Sequence, residues 1–301
     1  MNQKLRFGII TLQNVSWEKQ VERWRYIESL GFDTVWLADH FVNPHQPTEP
    51  WFEAWTLLAG LATQTTRIRI GTLITPITWR NPAFLARQAL TIDHISHGRL
   101  EIGLGTGVSG RDVSHRMTGI EDWAPSERVA RFREVVEIID QLLRNRVTTY
   151  LGRYYQLRDA TMTPPPVQKP RPPITIGAMG SDMLKHVARY ADTWNSFGGS
   201  PDMSKEEKLE KTRQRNALLN EYCAKIGRDP QTLRRSLLVF LPEAGIIFDS
   251  VDTFLDIVQR YRDVGIPEFI FYYPFSDKQL STFERIARDV IPKLRAAGPR
   301  R

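Results

Sequence analysis

The chain has 301 residues, 41% of them hydrophobic and 25% charged, with a single cysteine and a formal net charge of +7. That length holds two ordinary domains or one large α/β barrel, and the apolar content supports a packed core, which excludes an intrinsically disordered chain. The lone Cys223 excludes an internal disulfide, no run of 18 apolar residues reads as a membrane span, and 41 basic residues dispersed among 34 acids without a Lys/Arg block argue against a nucleic-acid partner.

The opening stretch "MNQKLRFGIITLQ" has too short an apolar run for a signal peptide and reads as a first strand over 5–11, so the cytoplasm is the expected compartment. A helical pattern at 16–30 follows, then a strand at 34–40 ("TVWLADH"), a helix at 52–64, a strand at 68–75 ("IRIGTLIT"), a helix at 82–96, a strand at 99–105 ("RLEIGLG") and a helix at 126–144. "VTTYLGRYYQL" (147–157) reads as a hairpin turning at Gly152, and "TPPPVQKPRPP" (163–173) as an extended connector. The alternation then resumes, with strands at 173–178, 192–197, 236–241 and 268–273 and helices at 181–191, 204–226, 250–264 and 277–295. Eight strands each followed by a helix predict a TIM (β/α)8 barrel, with a doubly wound open sheet as the alternative. The chain is expected to be one domain over 1–301. An insertion at about 147–172, between the fourth helix and the fifth strand, is expected on the mouth side.

Within "RLEIGLGTGVSG", residues 105–110 spell the G-x-G-x-x-G of dinucleotide-binding turns, but that motif must run directly into a helix, and "RDVSHRMTGIEDWAPSE" is polar and aperiodic until about Ser126. In the barrel reading, Gly103, Gly105 and Gly107 instead end a strand where missing side chains let a flat ligand approach the backbone.

Active sites of this fold use the C-terminal ends of strands and the loops beyond them. Strand two ends in Asp39-His40-Phe41, where His40 is a candidate acid/base and Asp39 its partner or a ligand contact; loop capping is the plainer reading of both. Strand three leaves through Gly71-Thr72-Leu73-Ile74-Thr75-Pro76, followed by Trp79 and Arg80, a bulge that could support a ring system or an ordinary strand exit. Strand five leads through Gly177-Ala178-Met179-Gly180 into Ser181, which sits where an N-cap belongs; such a glycine-rich turn offers backbone N–H groups and a helix dipole to a phosphate. Asn195, on strand six, can offer an amide to a polar ring edge.

Other chemistries lack their patterns. Asp93, His94 and His97 form the end of a helix without a His-Glu-x-x-His signature, there is no Gly-x-Ser-x-Gly elbow, and Cys223 lies in a helix away from the expected mouth. Trp51 and Trp55, at helical spacing, read as core or subunit contacts.

Taken in order, "LGFDTVWLADHF", "RIRIGTLITPITWRNPAFLARQALTIDHISHGRLEIGLGTG", "ERVARFREVVEIID", "GRYYQL" and "PPITIGAMGSDMLKHVARYADTWN" give the chain a specific resemblance, from about residue 5 to 292, to the bacterial luciferase-like family of flavin- and deazaflavin-dependent oxidoreductases. The resemblance implies a TIM barrel holding an isoalloxazine or deazaflavin ring at its C-terminal mouth. Members related to deazaflavin-dependent sugar-phosphate dehydrogenases carry an aspartate and a histidine matching Asp39 and His40. They also carry a non-proline cis peptide that would fall at Thr72-Leu73. By the same carry-over Thr106 and Gly107 lie near the ring or its tail, and the turn formed by Gly177, Ala178, Met179, Gly180 and Ser181 receives the cofactor phosphate. One position departs: the glutamate that serves those dehydrogenases as proton donor is Val108 here, which cannot transfer protons.

The expected function is hydride transfer between coenzyme F420 and a small organic substrate, with an FMN-dependent monooxygenase or a non-catalytic flavin-binding barrel as alternatives. Loops 42–50 and 108–125 shape the substrate pocket. A homodimer is expected, with the helix-two surface around Trp51 and Trp55 as its candidate face.

Overall fold

The computed structural model describes residues 3–44, 46–108, 110 and 112–297. His45, Ser109 and Arg111, which belong to the two loops expected to shape the pocket, lie outside the described residues, as do the extreme ends of the 1–301 span.

The strands are β1 (Arg6–Thr11), β2 (Thr34–Leu37), β3 (Arg69–Thr72), β4 (Thr75–Pro76), β5 (Leu100–Gly105), β6 (Val147–Leu151), β7 (Gln156–Thr161), β8 (Ile174–Gly177), β9 (Thr193–Ser196), β10 (Arg234–Leu238) and β11 (Glu268–Tyr272). The helices are α1 (Trp17–Ser29), α2 (Ala54–Ala62), α3 (Pro82–Ile95), α4 (Ser114–Thr118), α5 (Pro125–Arg144), α6 (Ser181–Tyr190), α7 (Lys205–Lys225), α8 (Val251–Asp263), α9 (Leu280–Arg285) and α10 (Ile291–Ala296). Strands pair in the order β3-β2-β1-β11-β10-β9-β8-β5, and β5 pairs again with β3. β1 and β11, β11 and β10, β10 and β9, β8 and β5, and β5 and β3 all pair in parallel. This is the closed (β/α)8 barrel that the alternation predicts, and the open sheet is excluded.

The chain folds as two compact units. One comprises residues 1–11, 25–36 and 178–301. Its strands β9, β10, β11 and β1 are buried almost throughout, as expected for parallel strands covered on both faces. Phe7 stacks against Phe269 at 5.9 Å, and Phe254 lies 5.3 Å from Phe271, so aromatic rings fill the space between strand and helix. Ser204 and Glu207 form a reciprocal capping box that starts α7.

The other unit comprises residues 12–24 and 37–177. Glu53 caps α2 and Asn81 caps α3, the latter followed by Pro82, which suits a first helical turn. The buried Arg99 guanidinium donates to the carbonyls of Ala62, Thr65, Ile68 and Ser96, tying the start of β5 to the segment between α2 and β3. The short helix α4 lies within the segment that read as aperiodic; at five residues it is below the length at which periodicity is legible.

The hairpin β6–β7 forms as expected and lies along the flank of α5. Thr148 Oγ1 donates to Gln141 O near the end of α5, and the hairpin then runs back along the helix to Glu134. The buried Glu134 carboxylate accepts from the backbone N–H groups of Arg153, Tyr154 and Tyr155, and the Arg131 guanidinium sits 4.4 Å from the Tyr154 ring centre. A buried carboxylate must be satisfied where it lies, so these three bonds hold the tip against the helix.

Two expectations about strand ends are corrected. The non-proline cis peptide falls at Leu73-Ile74, not Thr72-Leu73. Leu73 N–H donates to Leu37 O at 2.8 Å, so the ladder begun by β3 continues through Leu73 and the chain departs only after it. The glycines of β5 do not leave room for a ligand, because the protein's own chain fills it. A Cβ on Gly103 would fall 1.8 Å from the Thr72 carbonyl oxygen, one on Gly105 would fall 1.9 Å from Ile74 Cδ1, and one on Gly177 would fall 2.8 Å from the same atom. These glycines let the 72–74 segment cross β5 and β8 in close contact.

Gly103→Ala should therefore destabilise the protein by about 3 kcal/mol in denaturant unfolding, because backbone must move. Gly105→Ala should cost about 1 kcal/mol, since the Ile74 side chain can turn away. Equal, negligible effects at both positions would show that the crossing is not tightly packed.

Candidate active site

β2 ends at Leu37, and the chain beyond it carries Asp39 inward and His40 partly outward. Asp39 is 2% exposed. Its carboxylate is gripped in a bidentate fork by Arg80, with Nη2 to Oδ1 at 3.1 Å and Nη1 to Oδ2 at 2.5 Å, and Thr75 Oγ1 donates to Oδ2 at 2.8 Å. Arg80 also bridges to Glu53, the cap of α2. Burial pushes the Asp39 carboxyl up, against the pull of Arg80 and Thr75. Burial likewise opposes charge on Arg80, yet the carboxylates of Asp39 and Glu53 hold its guanidinium above the ordinary range. A guanidinium does not give up its proton, so Asp39 is kept as its counter-ion.

The polar chain continues outward from Thr75. Thr72 Oγ1 pairs with Thr75 Oγ1 at 2.9 Å, and Trp55 Nε1 donates to Thr75 Oγ1 at 2.9 Å. Thr72 is fully buried, with its hydroxyl engaged by Thr75, and Leu73 is nearly so. Trp55 belongs to the core, and Trp51 is half-buried with Nε1 on the His40 carbonyl at 3.0 Å. Each indole N–H has an acceptor within the chain, Trp51 on the His40 carbonyl and Trp55 on the Thr75 hydroxyl.

His40 does not pair with Asp39. Its Nδ1 lies 3.1 Å from Asp112 Oδ2, with the His40 side chain 32% exposed and that of Asp112 12% exposed. Although burial pushes the Asp112 carboxyl up, hydrogen bonds from His40 and Ser114 hold it well below the usual carboxylate range. Asp112 sits on the loop that leaves β5, and Arg128 of α5 holds that loop. The buried guanidinium donates to the carbonyls of Thr106 and Trp123 at 2.7 and 2.9 Å, bridges to Asp122 and reaches His115 Nε2 at 3.1 Å. The His115 ring packs 4.6 Å from that of Trp79, whose Nε1 donates to the Asp39 carbonyl. Thr106 and Gly107 are thus fixed from behind by Arg128 and half exposed in front.

In the other unit, the turn into α6 is placed by its carbonyls. Trp194 Nε1 donates to Ala178 O at 2.9 Å, Ala178 N–H to Asn195 O at 3.1 Å, and Arg215 Nε to Met179 O at 3.0 Å. Ser181 is not the N-cap. Gly180 is extended (φ −90°, ψ 153°) and its carbonyl already accepts from Leu184 N–H, so the helix starts at Ser181, with no side-chain hydrogen bond capping it. A Cβ on Gly180 would meet nothing within 4 Å. Asn195 does not hold its amide nitrogen in reserve, since Nδ2 donates to Ser236 Oγ at 2.9 Å.

Sequence reasoning brought forward Asp39, His40, Thr72, Thr106 and Gly107, which one hydrogen-bonded framework connects. It missed Asp112, Arg128, His115 and Glu53. Asp112-x-Ser114 carries a faint turn-and-cap signal, with Ser114 N–H donating to Asp112 Oδ1 at 2.9 Å, but nothing local ties Asp112 to a histidine 72 residues away.

Comparison with known proteins fits this architecture. An F420-dependent glucose-6-phosphate dehydrogenase of Amycolatopsis mediterranei (strain U-32) is 27% identical over 315 aligned residues, covering 90% of this chain and 92% of its own. Among solved structures, an F420-dependent secondary alcohol dehydrogenase in complex with an F420-acetone adduct superposes with a TM-score of 0.78 at 19% identity, over 95% of this chain and 99% of that one. A long-chain alkane monooxygenase reaches 0.77 at 15% identity, over 100% of this chain and 93% of its own. Those two structural likenesses bear on the fold alone. The luciferase-like monooxygenase family itself matches residues 5–241, the stretch that runs from β1 to just past β10 and includes Asp39, His40, the crossing at 72–74 and the turn at 177–181. By that match, this chain belongs to the luciferase-like monooxygenase family.

Proposed function

We propose that this protein is an oxidoreductase that uses the deazaflavin coenzyme F420 to transfer a hydride to or from a small organic substrate. The observation that carries the reading is His40, a partly exposed imidazole anchored on a carboxylate beyond the C-terminal end of a barrel strand. Its setting supports the same reading, since a relative aligned along nine tenths of the chain is named for F420 dependence.

The residues present fit a phosphate-bearing cofactor. The first N–H groups of α6 have no side-chain cap and the space beside Gly180 is open, which suits an anion at a helix N-terminus. In this reading Gly177, Ala178, Met179, Gly180 and Ser181 hold the phosphate, while Thr72, Leu73, Thr106 and Gly107 shape the shelf for the ring. Asp39 acts through Arg80 and Thr75, fixing the backbone from which His40 projects. Asn195 braces the turn through its carbonyl. When bound, the deazaflavin supplies a carbon centre that exchanges hydride and does not activate oxygen. The protein's part is to orient the substrate, exclude water and handle the proton at His40.

Val108, 57% exposed, stands where sugar-phosphate dehydrogenases of the family carry their proton donor, so a sugar phosphate is not the substrate this reading selects. A cytoplasmic homodimer belongs to the same reading, with the helix-two surface around Trp51 and Trp55 as its candidate face. Among the described residues no helix is long and apolar enough to cross a membrane.

Oligoglutamylated F420 should bind in preference to FMN, and the reduced complex should consume no oxygen in a substrate-dependent manner. Tight FMN binding with substrate-coupled oxygen uptake would move the protein to the monooxygenase chemistry of its family. Gly180→Val should fold normally, since its side chain points into open space, and weaken F420 binding at least tenfold in a fluorescence titration. Unchanged affinity would remove the turn as the phosphate cradle. His40→Ala should lower kcat by about 100-fold or more while F420 affinity stays within about threefold. A parallel loss of both would make His40 a binding residue.

A further inference from the structure

His40 and Asp112 come from different loops, and each is held independently. The carboxylate is oriented by its two oxygens, Oδ1 accepting from Ser114 N–H at 2.9 Å and Oδ2 facing His40 Nδ1 at 3.1 Å. The loop bearing it is fastened by the Arg128 fork, and the backbone bearing His40 is fastened by Trp51 and Trp79 on the carbonyls of residues 40 and 39. An ionised carboxylate has no proton to give, so the shared proton belongs to Nδ1. In a neutral imidazole that leaves the lone pair on Nε2.

We propose that Asp112 is a positioning residue for the reaction: it holds His40 as the Nδ1–H tautomer and so makes Nε2 the atom that exchanges the substrate's proton. The inference rests on the hydride-transfer reading above for the identity of the proton. For a substrate with a hydroxyl on the reacting carbon, oxidation breaks its O–H bond as an N–H bond forms at Nε2, while the carbon's C–H bond breaks and its hydride would pass to the coenzyme of the reading above. The Nδ1 proton stays on the ring, and the imidazolium charge is balanced by Asp112; reduction runs the same transfer backwards. With Val108 at the position of the family's proton-donating glutamate, this pair supplies the proton handling that the valine cannot. It also explains the depressed Asp112 carboxyl, a companion to a ring that can become positive.

Asp112→Asn tests the assignment because Ser114 decides which way the amide lies. Its N–H requires the amide oxygen on its own side, which turns the NH2 toward His40 Nδ1. The NH2 donates, and the ring must carry its proton on Nε2 instead. The measurement is nitrogen-15 NMR of the histidine-labelled chain without cofactor, at about pH 8.5, where imidazoles in water are neutral. The His40 signal is identified among the six histidines by its loss in His40→Gln. The wild type should show a protonated Nδ1 and a bare Nε2, and Asp112→Asn the reverse. Asp112→Ala, which removes the acceptor without offering a donor, should give a mixture of the two. In the F420-loaded enzyme, Asp112→Asn should lower kcat by about 10- to 100-fold, with KM and F420 affinity within about threefold. An Nε2–H ring in the wild type, or a tautomer unmoved by either substitution in a folded chain, would overturn the proposal. A wild type showing the expected tautomer but binding no F420 would instead defeat the hydride-transfer reading, since the spectrum is recorded without the coenzyme.

Discussion

A carboxylate that is 2% exposed has to be neutralised and hydrogen-bonded where it lies, and Asp39 imposes that requirement on everything around the end of β2. Arg80 meets the charge and Thr75 the remaining lone pair, and both follow the crossing at 72–74. Arg80 in turn draws in Glu53, the residue that starts α2, and Thr75 draws in Thr72 and Trp55. One buried charge thus ties the ends of two barrel strands to the start of a helix. Removing a single partner from such a pair leaves the other charge stranded, at a cost of about 3–5 kcal/mol, so the group behaves as a unit.

The loop beyond β5 is organised by the opposite device, a buried cation surrounded by acceptors. Arg128 donates to the carbonyls of Thr106 and Trp123, to His115 and to Asp122, so these four residues are held around one side chain. The two assemblies meet where His115 packs on Trp79 and Trp79 bonds the Asp39 carbonyl. His40, next in the chain to Asp39, meets Asp112 at 3.1 Å. Proton transfer needs its groups held within fractions of an ångström, and side chains anchored through two buried arginines meet that demand better than a free loop.

The glycines show how a correct observation acquires its meaning only in three dimensions. Gly103 and Gly105 stand out in the sequence because strands seldom tolerate them, and the expectation that they make room for a close approach is right. What approaches is the chain's own Thr72 carbonyl and Ile74 side chain. Gly180 has empty space beside it and stands at the start of α6, surroundings that suit an external anion. Composition cannot distinguish these cases, because both require only the absence of a side chain.

The sequence by itself determined the alternation of eight apolar strands and eight amphipathic helices, and with it the barrel, because periodicity and turn chemistry act within a few residues of one another. It also indicated that Asp39 and His40 fall at a strand's C-terminal end, although the strand stops at Leu37, and that a glycine-rich turn precedes α6. Tertiary structure alone decided whom those residues face. Asp39 belongs to Arg80, His40 to Asp112, Thr106 to Arg128 and the hairpin tip to Glu134. Each of these pairings is chosen by the need to satisfy a polar or charged group in a place with little water, and the partner is whatever side chain the packed elements bring within reach.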